Sequence, residues 1–177
     1  GMLHGIKGLL DGQYVDLSEK INSTMDIDLL KRTPSSYLGS CRYKLPEISE
    51  DRETFDKIFK ILDDLDIKYF FYIGGNDSMD TIKKLSDYGI LINSDIKFMG
   101  VPKTIDNDIY GTDMTFGFQS AVNIATNAID CIHTTASSHG RVFIVEIMGH
   151  KVGSLTLHAG VAGGADIILI PEIPYDI

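Results

Sequence analysis

In the middle of the chain, segments with apolar residues at helical spacing are followed by short continuous apolar runs. Residues 53–65 carry apolar side chains at helical spacing, and residues 69–73 then form a short continuous apolar run typical of a buried strand. Ser78 can cap a second helix, which we expect to end before the turn at Gly89. A second apolar strand is predicted over residues 96–101.

The same order of helix and strand continues towards the carboxyl end. Residues 113–132 have the spacing of a long helix, and the β-branched stretch 141–147 predicts a third strand. A helix rich in small residues is expected after Gly149 and ends at the glycines 163–164. Residues 167–170 then predict a fourth strand.

Strands that are apolar throughout, each followed by a helix, favour a parallel sheet covered on both faces. The sequence therefore predicts an α/β fold with a Rossmann-like, doubly wound, mainly parallel sheet. Residues 1–50 are less regular and are predicted to pack on the sheet, with a helix near residues 26–31. Residues 51–177 are assigned to the α/β domain, within a single domain overall.

Charge and cysteine content limit the possible partners and compartment. Twenty-five acidic and sixteen basic residues give a formal charge of −9. This balance disfavours a general binder of nucleic acid or anionic membranes, since those surfaces require a basic face. Cys41 and Cys131 are far apart and form no metal-binding motif, and no signal peptide or membrane-length apolar run is present. We therefore expect a cytoplasmic protein.

The first candidate site is the turn Gly74, Gly75, Asn76, Asp77 and Ser78, which follows a predicted strand. Its glycines allow close backbone approach to an anion, and the following helix start adds amide donors and partial positive charge. A diphosphate can bind there. The alternative is an ordinary turn between strand and helix, in which the polar side chains serve only as caps.

The second candidate site follows the next strand and includes Lys103, Thr104, Asp106 and Asp108. Asp106 can remove a proton from a substrate hydroxyl, and Lys103 can neutralise phosphate charge. Asp108 can position the base or hold a hydrated divalent cation. These are the parts that phosphoryl transfer requires. The alternative is a polar turn whose aspartates hydrogen-bond their own backbone. This alternative does not explain the presence of Lys103 and Thr104.

Other polar residues lie where predicted strands end or begin. Ligands of open α/β sheets bind at the carboxyl ends of the strands, where Met148, His150 and Glu172 fall. At that edge a methionine can pack against a ligand, and a histidine or glutamate can hydrogen-bond sugar hydroxyls. Considered without their location, all three would be interpreted as structural residues. Arg42 and Arg141 follow glycine-containing turns and can reach a phosphate, although a surface position is the commoner explanation for each of them alone.

Several segments together closely resemble the 6-phosphofructokinase family in sequence, order and spacing. They are Gly-Gly-Asn-Asp-Ser at 74–78, Pro-Lys-Thr-Ile-Asp-Asn-Asp at 102–108, Ser-Ser-His-Gly-Arg at 137–141, Val-Glu-Ile-Met-Gly at 145–149 and Ile-Pro-Glu at 170–172. The similarity extends upstream through residues 38–42 and covers nearly the whole chain.

The resemblance implies roles for individual residues. Asp106 would deprotonate the 1-hydroxyl of fructose 6-phosphate, with Thr104 and Asp108 beside it, and Arg42 would stabilise the transferring phosphoryl group. Arg141 matches a position that reaches the sugar phosphate of a neighbouring subunit, which implies a homo-oligomer. The positions that surround the sugar in the family correspond here to Met148, Gly149, His150 and Glu172.

The resemblance also bears on the phosphoryl donor and the metal. Family members that use ATP tend to have glycine where Asp77 and Lys103 stand, so the chain looks like a diphosphate user. An aspartate there would repel the α-phosphate of a nucleotide, and a lysine adds charge that a free diphosphate needs. The implied cofactor is Mg²⁺, near Asn76 and Asp108. Asn76 replaces a usual aspartate and His150 a usual arginine, which weakens metal binding and the phosphate site respectively.

The resemblance covers the central portion of a family whose catalytic chains are considerably longer. We therefore expect a truncated fold that lacks the family's first strand and its carboxyl-terminal sugar-binding half, exposes a sheet edge or apolar face and tends to associate. The leading hypothesis is a diphosphate-dependent 6-phosphofructokinase of glycolysis, inactive as an isolated fragment. The alternatives are an ATP-dependent enzyme and a non-catalytic remnant or assembly module. A lipid or nicotinamide-nucleotide kinase is disfavoured because those proteins lack the block at 103–108.

Overall fold

The structure is a computed structural model and describes residues 1–176. Its helices and strands, in chain order, are α1 (Gly5–Leu10), α2 (Leu17–Lys20), α3 (Thr24–Arg32), α4 (Arg52–Asp64), β1 (Tyr69–Gly74), α5 (Asn76–Leu91), β2 (Lys97–Thr104), β3 (Phe116–Gly117), α6 (Phe118–His139) and α7 (Ser154–Ala162). The sheet has the order β1-β2-β3. Strands β2 and β3 are parallel, with Lys103 opposite Phe116 and Thr104 opposite Gly117.

The first of two compact units comprises residues 1–72 and 80–99. Helix α4 begins where the Asp51 carboxylate accepts the Thr54 N–H at 3.1 Å, which satisfies a donor that the helix leaves open. Its apolar side chains then recur on one face and enter the core of this unit. The buried core residues are Ile6, Leu9, Leu45, Phe55, Ile58, Phe59, Leu62, Phe70, Leu85, Tyr88 and Ile96.

A buried lysine connects α5 to the irregular segment before α4. The side chain of Lys84 is only 8% exposed, and its ammonium donates to the Leu45 carbonyl at 3.0 Å. It also pairs with Asp80 at 2.9 Å and Glu47 at 2.7 Å. The hydrogen bonds that Lys84 donates to Asp80 and then to Glu47 raise its pKa above the usual value.

The second compact unit comprises residues 73–79 and 100–176. It has a smaller core, in which Phe118, Val122 and Leu155 are buried. Helices α6 and α7 approach closely because α7 ends at a glycine: a Cβ on Gly163 would lie 2.7 Å from Cγ2 of Ile129.

The structure corrects the predicted bounds of α5. The helix begins at Asn76, so Ser78 lies within the first turn and does not cap it from outside. It also continues through Gly89 to Leu91. A Cβ at Gly89 would lie 3.4 Å from the rings of Phe59 and Phe98, so this glycine serves close packing inside the helix and not a turn.

The carboxyl-terminal predictions are partly wrong. Helix α6 begins at Phe118, because residues 113–117 form a loop and the short strand β3 that the sequence did not indicate. The predicted strands at 141–147 and 167–170 are not strands in the described chain. Val142 and Ile144 are 94% and 96% exposed, as expected where no neighbouring strand covers a β-branched side chain.

Of the remaining helices and strands, some confirm the predictions and others were not predicted. Helices α4 and α7, and strands β1 and β2, confirm the predicted elements, with β2 extended to Thr104. Helix α3 confirms the helix near residues 26–31, whereas α1 and α2 were not predicted. None of the helices in residues 1–176 is long and apolar enough to cross a membrane.

Strand β1 presents an uncovered apolar face. Tyr69, Phe71 and Ile73 are exposed, whereas the alternate residues Phe70 and Gly74 are buried. β1 also stands at one end of the strand order. The expected exposed sheet edge and apolar face are therefore present.

Substitution of Lys84 with Met is expected to lower the melting temperature by several degrees, because the Leu45 carbonyl and two carboxylates lose their cation. The interactions that raise this pKa stabilise the fold in full at pH values below the ordinary lysine pKa, near 10.5. Their contribution is lost as the pH rises through the higher pKa that Lys84 has in the folded state. Thermal melts between pH 7 and 11 should therefore show a steeper alkaline loss for the wild type than for Lys84→Met.

Lys83→Met is the matched control, since Lys83 pairs with Asp87 at 3.1 Å but its side chain is 76% exposed. We expect little change in its melting temperature. Equal effects of the two substitutions would contradict the role assigned to Lys84.

Candidate functional site

Two polar turns meet within the second compact unit. The Asn76 side-chain amide donates from Nδ2 to Oδ2 of Asp108 at 2.7 Å, across 32 residues of sequence. A Cβ placed on Gly75 would lie 3.8 Å from the carbonyl oxygen of Lys103, so the backbones of the two turns are also close. The structure therefore brings together the two turns at 74–78 and 103–108.

The first turn is tightly closed by its glycines. A Cβ at Gly74 would lie 2.1 Å from the hydroxyl oxygen of Ser78, so a larger residue does not fit without rearrangement. The Gly75 carbonyl accepts the N–H groups of Ser78 and Met79, both at 3.0 Å, and so starts α5. Asn76 and Asp77 are the exposed residues of this turn.

The second turn holds two carboxylates in an unusual environment. The Asp106 N–H donates to the Thr104 hydroxyl oxygen at 3.1 Å. Oδ1 of Asp106 and Oδ1 of Asp108 are both buried and have no hydrogen-bond partner among the described residues. An unsatisfied buried acceptor is costly, so these oxygens are suited to a proton, a donor or a cation brought by a ligand. Lys103 is exposed at the start of the turn.

Sequence reasoning missed the residues that anchor this turn. Thr115 is buried; its hydroxyl donates to the Thr104 carbonyl at 2.7 Å and its N–H donates to Oδ1 of Asn107 at 2.9 Å. Asn107 has a φ of 55°, a left-handed conformation that asparagine adopts more readily than most residues. The preference of asparagine for this conformation was the signal available in the sequence, but it does not identify Thr115 as the partner of Asn107.

Asp106 and Asp108 each offer one carboxylate oxygen to a bound Mg²⁺. No group of three or more His, Cys, Asp and Glu side chains suited to a metal occurs within residues 1–176. Mg²⁺, however, is usually held by one or two carboxylates together with water and substrate phosphates. The unpartnered oxygens of Asp106 and Asp108 meet that requirement. Asn76 turns its amide nitrogen to Asp108, so it supports that carboxylate as a donor.

A second group of predicted residues lies around the start of α7. Glu172 accepts the Gly153 N–H through Oε1 at 2.7 Å, so its carboxylate satisfies a donor next to the helix start. The buried Gly149 accepts the Val152 N–H at 3.0 Å. Met148 is 73% exposed, and His150 is exposed with a φ of 56°.

Both candidate arginines are exposed. Arg42 belongs to the first compact unit, where its exposed side chain lines a cavity of about 380 Å³ together with His4, Lys7 and Cys41. Arg141 is exposed directly after Gly140, which ends α6 with a φ of 60°. Their roles therefore stay predictions.

Comparison with known proteins decides the family. The model of the family described as Phosphofructokinase matches residues 1–177. The chain belongs to the phosphofructokinase family. It is 44% identical over 184 residues to an ATP-dependent 6-phosphofructokinase of Spirochaeta thermophila, an alignment that covers 100% of this chain and 47% of that protein.

Other phosphofructokinases resemble the chain in sequence or fold. A "Pyrophosphate--fructose 6-phosphate 1-phosphotransferase" of Amycolatopsis methanolica is 50% identical over 122 residues, which cover 69% of this chain and 34% of that protein. The crystal structure of a pyrophosphate-dependent phosphofructokinase from Nitrosospira multiformis superposes with a TM-score of 0.86 at 33% identity, covering 99% of this chain and 45% of that one.

These comparisons confirm the predicted fold class as an open parallel α/β sheet with helices, present here in part. The chain spans about half the length of the Spirochaeta phosphofructokinase. Relatives named for either phosphoryl donor occur among the matches, so family membership leaves the donor open.

Asn76→Asp tests the geometry of the two turns. The substitution is nearly isosteric but faces a carboxylate to Asp108, where the wild type has a 2.7 Å hydrogen bond. We expect the melting temperature to fall by several degrees without divalent cations, because like charges repel. Mg²⁺ at ten times its dissociation constant should restore about 1.4 kcal/mol.

Asn127→Asp on the exposed surface of α6 is the control, and its melting temperature should respond little to either change. An Asn76→Asp protein that melts like the wild type with and without Mg²⁺ would show that residues 76 and 108 are not neighbours in solution.

Proposed function

We propose that the chain carries the donor loop and the catalytic base of a diphosphate-dependent 6-phosphofructokinase of the cytoplasm. The observation that carries this proposal is the hydrogen bond between Asn76 and Asp108, which joins the glycine turn to the turn containing Asp106. A phosphate group on the first turn is thereby brought close to the base on the second. Such proximity is the main contribution an enzyme makes to phosphoryl transfer.

In the proposed reaction, Asp106 accepts the proton of the 1-hydroxyl of fructose 6-phosphate. The sugar oxygen forms a bond to one phosphorus of diphosphate as the bridging P–O bond breaks, which yields fructose 1,6-bisphosphate and phosphate. The buried, unpartnered Oδ1 of Asp106 supports this role because no protein donor competes for it in the described chain. Thr104 fixes the backbone of Asp106 through its hydroxyl.

Charge on the diphosphate requires compensation in an otherwise acidic protein. Lys103 is exposed at the start of the base turn and supplies a positive charge there. Asp108 would hold Mg²⁺, supported by Asn76. The bound ion would neutralise the phosphate oxygens and the charge of the leaving group. We assign Arg42 to the transferring phosphoryl group, and the sugar contacts to Arg141, Met148, Gly149, His150 and Glu172, by family resemblance alone.

Diphosphate is the proposed donor because of Asp77 and Lys103. Asp77 lies in the first turn of α5, beside the residue that contacts the base turn. Its carboxylate there disfavours the additional phosphate of a nucleotide, whereas Lys103 favours a compact, highly charged donor. ATP is the alternative donor, and the name of the Spirochaeta relative favours it.

The second candidate function is a non-catalytic remnant or assembly module of the same fold. The exposed apolar face of β1 favours it. We propose that the chain alone binds the donor but does not turn over, and that the complete enzyme is a homo-oligomer.

Calorimetric titration of the chain with magnesium diphosphate and with MgATP tests the donor. We expect at least about tenfold tighter binding of diphosphate, equivalent to roughly 1.4 kcal/mol. The double substitution Asp77→Gly and Lys103→Gly should reverse this preference. Tighter binding of MgATP by the wild type would refute the proposed donor.

A coupled assay with fructose 6-phosphate, Mg²⁺ and either donor separates the enzyme from the remnant. We expect no turnover from the chain alone. Turnover that falls by about 10²- to 10⁴-fold in Asp106→Ala, the range for loss of a general base, would exclude the remnant and establish the base. Turnover that survives Asp106→Ala would refute the assignment of Asp106.

A further inference from the structure

The turn that carries the two carboxylates is held by side chains outside the predicted site. Asn107 lies between Asp106 and Asp108 and turns the backbone through a left-handed conformation with a φ of 55°. This conformation costs a non-glycine residue free energy and persists only when the surroundings fix it. The hydrogen bonds of the Asn107 side chain therefore indicate what holds the turn in this conformation.

Asn107 ties the turn to a loop further along the chain. Its Oδ1 accepts the Thr115 N–H at 2.9 Å, and its Nδ2 donates to the Asp113 carbonyl at 3.2 Å. An asparagine that only supported its own turn would bond the backbone two residues away. Here the partners are six and eight residues distant, so the side chain joins two separate segments.

Thr115 closes the connection from the other side. It is 3% exposed, and its hydroxyl donates to the Thr104 carbonyl at 2.7 Å. The same hydroxyl oxygen lies 3.3 Å from Oδ1 of Asn107. Asp106 is therefore flanked by two residues, Thr104 and Asn107, that are both bonded to Thr115.

The parallel ladder beside this turn is too short to fix it alone. It consists of Lys103 opposite Phe116 and Thr104 opposite Gly117, and β3 contains only those two residues. Beyond Thr104 the turn must hold two buried carboxylate oxygens without partners. The unpaired oxygens and the repulsion between neighbouring carboxylates both favour opening of the turn to water.

We propose that Asn107 and Thr115 form a clamp that positions the carboxylates of Asp106 and Asp108, and that neither residue contacts substrate. The part of this inference that concerns catalysis rests on the proposed function, whereas the positioning itself does not. Mutation of groups that orient metal ligands typically lowers metal affinity or activity by about 10- to 100-fold.

The side-chain amide of Asn76 reports the position of Asp108, because it donates to that carboxylate at 2.7 Å. The experiment measures its proton exchange with water by NMR in the wild type, Asn107→Gly, Thr115→Val and Thr115→Ser. Glycine adopts a φ of 55° readily, so Asn107→Gly removes the tether without straining the turn. Thr115→Val removes the hydroxyl and keeps the shape, and serine restores the hydroxyl.

We expect Asn107→Gly and Thr115→Val to speed this exchange by about fivefold or more, the factor that loss of one ordinary hydrogen bond brings. Thr115→Ser should stay near the wild-type rate. Thr81→Val is the control, because Thr81 is also 3% exposed but lies in the first compact unit. It should leave the exchange unchanged even where it lowers the melting temperature.

Unchanged exchange in a folded Asn107→Gly protein would overturn the proposal, as would equal changes in Thr115→Ser and Thr115→Val. If Thr115→Val does not fold, Asn107→Gly decides the question alone. Titration of the same proteins with magnesium diphosphate adds a second readout, in which Asn107→Gly should bind about tenfold more weakly. A wild type that fails to bind diphosphate would refute the proposed function, while the exchange rates would still test the clamp.

Discussion

The hydrogen bond from Asn76 to Asp108 is the interaction on which the candidate site depends. The amide nitrogen of Asn76 donates to the carboxylate at 2.7 Å. The backbones of the glycine turn and the acidic turn are close in any case, and this bond connects their side chains. With it, one oxygen of Asp108 is satisfied by the protein, and the other remains available to a ligand. The same contact joins the turn that contains Asp106 to the loop proposed to hold the donor.

The two compact units are stabilised differently. The first has a large aromatic and aliphatic core and a buried lysine bonded to three oxygen acceptors. The second has a small core and relies on glycine contacts between helices and on polar ties such as that of Thr115. Its carboxylates include buried oxygens that the described chain leaves unpaired. Ligand binding should therefore stabilise the second unit, as is common where a site is built at a cost to the fold.

The sequence predicted those features that depend on local patterns. Helix α4 followed from apolar spacing, and the two turns followed from their glycine, lysine and aspartate content. Residues 141–147 were predicted as a strand because β-branched residues favour strands, but that preference reflects packing against neighbouring strands. The pairing of Asn107 with Thr115 could not be predicted, because it depends on how the chain returns to β2 after residue 108.

A crystal structure of the chain grown with manganese and diphosphate would test the account most directly, since manganese can replace magnesium and is located by its anomalous scattering. The account predicts manganese bound to Asp108, diphosphate on the backbone of residues 74–78 and the free oxygen of Asp106 facing the same space. Manganese and diphosphate bound elsewhere, or Asp106 directed away from the glycine turn, would contradict it.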